Sequence, residues 1–174
     1  MKKILAILAA LLVVVLLWAT TRPDRFQVER SADMQAPPEK IIAFIEDFHQ
    51  WGAWSPFEKL DPEMKRTFSG AEKGKGAVYE WVGNSEAGTG RMEIADIAPG
   101  SKVTIQLDFT KPFEAHNIAE FTLVPVNGTT RVTWSMRGPQ PYVAKLIGLF
   151  MSMDSMVGKN FETGLVNLKS LAEK

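Results

Sequence analysis

The hydrophobic pattern is most regular near the end of the chain. From about Tyr142 to Ala172, apolar residues recur three or four positions apart, and polar residues fill most of the positions between them. This spacing predicts one long amphipathic α-helix with a buried face and a solvent-exposed face. The buried stripe would consist of Val143, Leu146, Ile147, Phe150, Met153, Val157, Phe161, Leu165, Leu168 and Leu171.

Before this helix, between Met64 and Arg137, apolar and polar residues alternate with a period of two. Such alternation predicts strands with one buried face. Turn signals such as Asn127-Gly128 separate neighbouring strands, and no helix-length crossover lies between them, so we expect an antiparallel sheet. The predicted strands are 65–69, 77–82, 88–97, 102–110, 115–125 and 129–137, after a first strand at 26–31.

A short helical segment separates the first strand from the other six. Pro37 and Pro38 can open a helix, because the missing N–H of a proline has no partner in the first turn. The prolines at 56 and 62 then keep the segment after Trp51 from continuing as a long helix. The order of elements predicts an α+β fold in which a curved antiparallel sheet of about seven strands is closed by the long C-terminal helix.

The first residues predict a membrane anchor. Lys2 and Lys3 precede an uncharged apolar run from Ile4 to Ala19, and Trp18 stands where an interfacial aromatic residue would lie. A cleaved signal peptide is the alternative, but no small-x-small cleavage site follows the run. We expect an uncleaved transmembrane helix over 1–21, a linker over 22–25 and one domain over 26–174. The leading lysines would place that domain on the non-cytoplasmic side.

Composition excludes several classes of function. The chain has 20 basic and 20 acidic residues, so it lacks the positive excess that nucleic-acid binding needs. It has no cysteine, which excludes disulfides, thiol nucleophiles and thiolate metal sites. Its two histidines, His49 and His116, do not have metal-ligand spacing. We therefore expect no metal, no cofactor and no nucleic-acid partner.

Aromatic and methionine residues are spread through every predicted element. They could simply fill the core, but a sheet curved around one helix also leaves room for a pocket, and pockets for apolar ligands are lined by such side chains. We predict a ligand pocket between the sheet and the C-terminal helix, lined by Trp54, Phe57, Tyr79, Trp81, Met92, Phe109, Trp134, Phe150, Met153, Val157 and Phe161.

Only one carboxylate is a candidate for catalysis. An inward-pointing carboxylate in a dry pocket could have a raised pKa and transfer protons. Alternation predicts that Asp108 faces solvent, whereas Glu80 lies between apolar residues on both sides and cannot be assigned to a face. We therefore treat Glu80 as an exploratory catalytic or ligand-orienting residue.

Four motifs, together with the order of elements, carry a resemblance to a known family. The motifs are Phe48-x-x-Trp51-x-x-Trp54-Ser55-Pro56, Gly76-x-x-Tyr79-x-Trp81, Thr130-Arg131-Val132-Thr133-Trp134 and Asn160-Phe161-Glu162-x-Gly164-Leu165-x-x-Leu168-Lys169. With them, nearly the whole chain after the anchor resembles the START-related (SRPBCC) superfamily, in its polyketide cyclase/dehydrase-like branch. The resemblance implies a helix-grip fold, with a seven-stranded antiparallel sheet wrapped around the C-terminal helix and an apolar ligand between them.

Three functions are compatible with these observations. The first is a membrane-tethered, non-enzymatic binding or carrier domain for a hydrophobic small molecule or lipid. The second is a polyketide cyclase/dehydrase-like enzyme that uses the same pocket. The third is a partner-binding domain whose interior is filled by side chains. We expect the first, because a lined apolar space next to a membrane anchor suits a ligand that partitions into the bilayer.

Overall fold

A computed structural model describes residues 2–149 and 152–174 and confirms the predicted fold class. Seven antiparallel strands form one open sheet in the order β1-β7-β6-β5-β4-β3-β2. The sheet therefore begins and ends with strands that come early in the chain. The strands are β1 Arg25–Met34, β2 Lys65–Gly70, β3 Ala77–Val82, β4 Thr89–Ala98, β5 Lys102–Lys111, β6 Ala115–Val126 and β7 Thr129–Pro139.

In the described part of the chain five α-helices accompany the sheet, and three of them cover one of its faces, which we call the inner face. Helix α5 packs mainly along β1, and α2 and α3 contact α5 over the rest of that face. Two short 3₁₀ turns, Phe48–Gln50 and Pro56–Lys59, flank α3. The helices are α1 Lys2–Thr20, α2 Pro38–Ile45, α3 Trp51–Trp54, α4 Tyr142–Ile147 and α5 Met153–Ala172.

The prediction of one continuous helix from Tyr142 to Ala172 is wrong, because α4 and α5 are separate helices. Gly148 caps the end of α4. The Ser152 hydroxyl caps the start of α5 by accepting a hydrogen bond from the Ser155 backbone N–H. A serine that satisfies a free N–H of the first turn is a helix-start signal. The apolar spacing continues across the break, which is why the pattern alone predicted a single helix.

Aromatic rings fill the interior where α5 crosses β7. The Trp134 ring stacks on Phe161 of α5, with 4.2 Å between ring centroids and 8° between ring planes. Its other neighbours include Phe121 at 4.9 Å and Trp54 at 5.5 Å. Gly164 lies one turn after Phe161, and a Cβ there would stand 2.7 Å from the Trp134 ring. The absence of a side chain at this glycine lets the tryptophan approach the helix.

A charged contact fixes the first half of α5 to β1. The Arg30 guanidinium donates to Glu162 Oε1 at 2.6 Å and to Asp154 Oδ1 at 2.8 Å. These carboxylates lie eight residues apart on one face of α5, and Gly158 lies midway between them. A Cβ at Gly158 would collide with the guanidinium. The glycine therefore gives the arginine room to cross the helix and reach both acids.

Helix α1 meets the domain at its C-terminal end. It is long and apolar enough to cross a membrane, a property that signal sequences share. Among its described residues, only Ala19 is fully buried. The Tyr142 hydroxyl of α4 donates to the Leu16 carbonyl at 3.0 Å. After α1, Asp24 of the linker accepts a 2.6 Å hydrogen bond from Lys145 of α4. Helix α4 therefore lies beside the end of α1.

Candidate functional site

The sheet register brings one row of side chains together near the end of the inner face that adjoins α1. Phe26 of β1 is opposite Gly138 of β7, and across the next strands Asn117, Leu107 and Met92 follow in the same row. Phe26 and Leu107 are only half-buried. The apolar interior is therefore less completely closed here than at the aromatic stack around Trp134.

More inner-face apolar side chains are half-buried in this part of the domain. Met153 and Val157 form the first turns of the buried stripe of α5, ahead of Phe161. Phe109 of β5 is also half-buried. Half-buried apolar side chains on the inner face are the kind of lining that a site for a hydrophobic ligand requires.

Asn117 is a buried polar residue in this row. Its neighbours on the inner face of β6 are Ala119 and Phe121, which are also buried. The Asn117 amide oxygen lies over Gly138, where any Cβ would collide with it. Among the described residues, no side-chain hydrogen bond engages this amide. A polar group on an apolar wall can fix the orientation of a bound molecule.

A cavity of about 370 Å³ lies next to this row, where α1, the linker, β1, α4 and α5 meet. We call it the junction cavity. Its size is within the range of small-molecule sites. Phe26 contributes to both the cavity and the row of inner-face side chains, so the two adjoin. The cavity is lined by residues that include Trp18, Arg22, Phe26, Gln140, Lys145 and Met153.

A larger depression of about 660 Å³ lies at the other end of the domain. It is formed by 35–38, before and at the start of α2, and by 125–130 of the β6–β7 hairpin. Of the predicted pocket residues that the structure describes, none borders this depression. This depression lies outside the interior and does not correspond to the predicted site.

A polar cluster of Glu58, Arg66 and the buried Tyr79 holds the second 3₁₀ turn against the sheet. The Tyr79 hydroxyl donates to Glu58 Oε1 at 2.7 Å, and Arg66 Nε donates to Glu58 Oε2 at 2.7 Å. Burial, together with the hydrogen bond to Glu58, raises the pKa of the Tyr79 phenol, which therefore stays a neutral donor. Sequence reasoning missed Glu58, because it lies in an irregular segment without a periodic pattern.

The predicted pocket residues fall into two groups. The half-buried group contains Phe57, which packs on Trp134 and Phe161, and Phe109, Met153 and Val157, which lie towards the α1 end of the inner face. Phe150 lies outside the described residues. The other predicted residues, Trp54, Tyr79, Trp81, Met92, Trp134 and Phe161, are buried in the core. Contact with a ligand remains a prediction for all of them.

Glu80 does not lie in the interior. It is exposed on the outer face, paired in register with Arg91, whereas its neighbours Tyr79 and Trp81 point inward. The argument for catalysis needed a carboxylate in a dry pocket, so this position gives it no support. Among the described residues, no three His, Asp or Glu side chains come together as metal ligands.

Asp108 and His116 form an ion pair on the outer face of the sheet. The His116 Nδ1 lies 2.7 Å from Asp108 Oδ1, and its Nε2 lies 3.3 Å from Glu114. The hydrogen bond and the charge of Asp108 raise the pKa of His116 above its ordinary value of 6.5. The ion pair therefore stabilises the folded state fully below the unfolded pKa, and this contribution is lost as the pH rises through the folded pKa.

We expect an NMR titration of the full-length chain to give a His116 pKa above 6.5. Asp108→Asn should lower it, because the variant removes the nearest negative charge and leaves only the more distant Glu114. A His116 pKa that does not change in Asp108→Asn would show that the pair does not form in solution.

Comparisons with known proteins give a family and a fold. A family described as "Polyketide cyclase / dehydrase and lipid transport" matches residues 25–173. None of the curated proteins matches the chain. Protein CV1439 from Chromobacterium violaceum is 16% identical, with a TM-score of 0.58, and the match covers 88% of this chain and 99% of that one.

Two further solved structures share the fold. The Aha1 dimer from Colwellia psychrerythraea is 19% identical, with a TM-score of 0.56 and coverage of 85% of this chain and 96% of that one. DynU16, from the dynemicin biosynthetic locus, is 15% identical, with a TM-score of 0.58, and the match covers 88% of this chain but 48% of that one. At these identities the likeness shows the fold alone.

Proposed function

Because the chain belongs to the polyketide cyclase/dehydrase and lipid transport family, we propose that it is a membrane-tethered binding domain that holds a hydrophobic small molecule or lipid between its sheet and α5. The observation that carries the proposal is the junction cavity of about 370 Å³ and its continuity with the half-buried apolar side chains of the inner face. A ligand that extends inward from this cavity would cover Phe26, Leu107 and Met153.

In this proposal α1 is a permanent anchor. Its 19 residues reach about 28 Å at 1.5 Å per residue, close to the thickness of the hydrocarbon core. Lys2 and Lys3 would stay in the cytoplasm, which places the domain on the other side of the membrane. The tether keeps the cavity next to the bilayer, which is the phase in which apolar molecules concentrate.

The polar groups of the interior favour binding over catalysis. Tyr79 and Glu58 are hydrogen-bonded to each other, and the tyrosine is buried. Asn117, which lies beside Gly138 and near Phe26 of the junction cavity, is a neutral amide. An amide can donate and accept hydrogen bonds but does not exchange protons as a general acid or base. This set of groups can orient a ligand and is poorly suited to a cyclase or dehydrase step.

The proposal predicts that the full-length protein, purified from membranes, retains an apolar molecule. Denaturing organic extraction followed by mass spectrometry should find it at a stoichiometry near one per chain. Replacing Asn117 by leucine should weaken retention by up to about tenfold, because a hydrogen bond to the ligand contributes about 0.5–1.5 kcal/mol.

Gln106→Leu is the matched control, because Gln106 is an exposed amide on the outer face of β5. It should retain the ligand like the unmodified protein. The proposal fails if no apolar molecule is extracted and panels of lipids show no binding. Equal retention by the Asn117→Leu and Gln106→Leu variants would instead exclude Asn117 from the site.

A further inference from the structure

Three exposed apolar side chains lie on the parts of the domain nearest to α1. Val143 and Ile147 belong to α4, and their exposed fractions are 66% and 47%. Phe113 occupies the turn between β5 and β6 and is 75% exposed. Val143 and Ile147 lie one turn apart on α4, and exposed apolar side chains that adjoin each other mark an interaction site.

The sheet register shows that Phe113 is at the α1 end of the sheet. β1 begins at Arg25, which pairs with Pro139 at the end of β7. β6 begins at Ala115, only three residues before the position paired with Arg137. The β5–β6 turn therefore projects from the same end of the sheet as the linker to α1. Three strand spacings of about 4.8 Å separate β1 from β5, so Phe113 is about 14 Å to the side of β1.

The contact between α1 and α4 fixes the depth of α4 in a membrane. Nearly the whole length of α1 is needed to cross a hydrocarbon core of about 30 Å. The Leu16 carbonyl accepts the Tyr142 hydrogen bond. It lies four residues before the end of α1, which is about 6 Å further into the membrane along the helix axis. Helices that lie in a membrane surface bury their apolar face by about 5–10 Å. Helix α4 therefore reaches the same depth.

The charges near α4 are arranged to leave its outer surface apolar. Lys145 is the only charged residue of α4, and it is buried and paired with Asp24 of the linker. Arg22 folds back over the Trp18 ring, 3.7 Å from its centroid. Tryptophan and arginine in these positions are typical of the interface between hydrocarbon and water.

We propose that α4 and the β5–β6 turn are seated in the surface of the bilayer that α1 crosses, so that the junction cavity opens towards the acyl chains. The inference rests on the membrane tether of the proposed function and adds the surface by which the domain is held against the lipid. It also assigns a role to α4, which interrupts what would otherwise be one long helix.

Spin-label depth measurements on the full-length chain in phosphatidylcholine/phosphatidylglycerol nanodiscs test this proposal. Because the chain has no cysteine, single-cysteine variants at Phe113, Val143 and Ile147 carry one label each. Leu12 in α1 provides the reference inside the bilayer. Val124 and Val166 are matched controls, because these valines are 54% and 60% exposed but lie away from α1.

We expect collisions with a water-soluble nickel reagent at Phe113, Val143 and Ile147 to fall towards the level at Leu12, and collisions with oxygen to rise. Val124 and Val166 should stay fully accessible to nickel. If Leu12 is in lipid while the three test positions are as accessible as the controls, the proposal is wrong, whatever the ligand-retention result. If Leu12 is itself in water, α1 does not span the bilayer, and both the tether and this proposal fail.

Discussion

Replacing Trp134 by alanine is expected to lower the free energy of unfolding by about 3–5 kcal/mol, the range for removing a large buried aromatic side chain. Trp134 is buried and stacks on Phe161, which is the main aromatic contact between the sheet and α5. The rings of Phe121 and Trp54 also pack against it, and they are held by the backbone of β6 and α3. Because these neighbours cannot move into the space, the variant leaves a cavity.

Urea unfolding of the full-length protein in detergent, followed by far-ultraviolet circular dichroism, measures this change. Trp134→Phe should cost less than about 1.5 kcal/mol, since an aromatic ring remains and a buried indole N–H without a partner among the described residues is removed. Val166→Ala, at an exposed position of α5, should change little. A Trp134→Ala cost no larger than that of Val166→Ala would show that the ring stack does not join α5 to the sheet.

Strands such as β5 could be predicted because they bury a single face, whereas β2 is exposed along its whole length and was predicted from its position between turn signals. In β5, Val103 and Ile105 are buried and Gln106 is exposed, as the alternation requires. For Glu80 the alternation does not determine which face of the strand the side chain occupies. Both faces of β3 carry apolar side chains, so the face of Glu80 is fixed only by the tertiary structure, which buries Tyr79 and Trp81 on the inner face.

The candidate site was only partly predictable. Alternation along β6 puts Asn117 on the same face as Ala119 and Phe121, so the sequence did contain a signal for a polar residue on the inner face. The junction cavity had no such signal, because it depends on contacts such as that between Tyr142 and Leu16, which are 126 positions apart. Local periodicity carries no information about contacts at that separation.

The glycines of α5 are another feature whose role only the structure determines. Glycines in the middle of a predicted helix indicate that a strand or a ligand approaches it closely, and packing between helix and sheet is the expected reason. The structure identifies the approaching group as the Arg30 guanidinium at Gly158 and as the Trp134 ring at Gly164. Both glycines therefore serve the packing between helix and sheet.

Replacing Gly164 by alanine should therefore lower the free energy of unfolding, by up to about 2 kcal/mol, although alanine is the better helix former. In an unobstructed helix this change stabilises by about 1 kcal/mol. At Gly164 the new Cβ would be 2.7 Å from the Trp134 ring and 3.1 Å from Pro56 Cδ. Neither group is flexible, and overpacking of this kind costs about 1–3 kcal/mol.

Gly52→Ala is the matched control, because Gly52 is also helical but a Cβ added there would meet no other atom within 4 Å. The same urea unfolding experiment should show that this variant is unchanged or stabilised by up to about 1 kcal/mol. The two glycine-to-alanine variants should therefore change stability in opposite directions. If Gly164→Ala were stabilised as much as Gly52→Ala, α5 would not pack as closely on Trp134 as the structure shows, and room would remain for a ligand at that point of the interior.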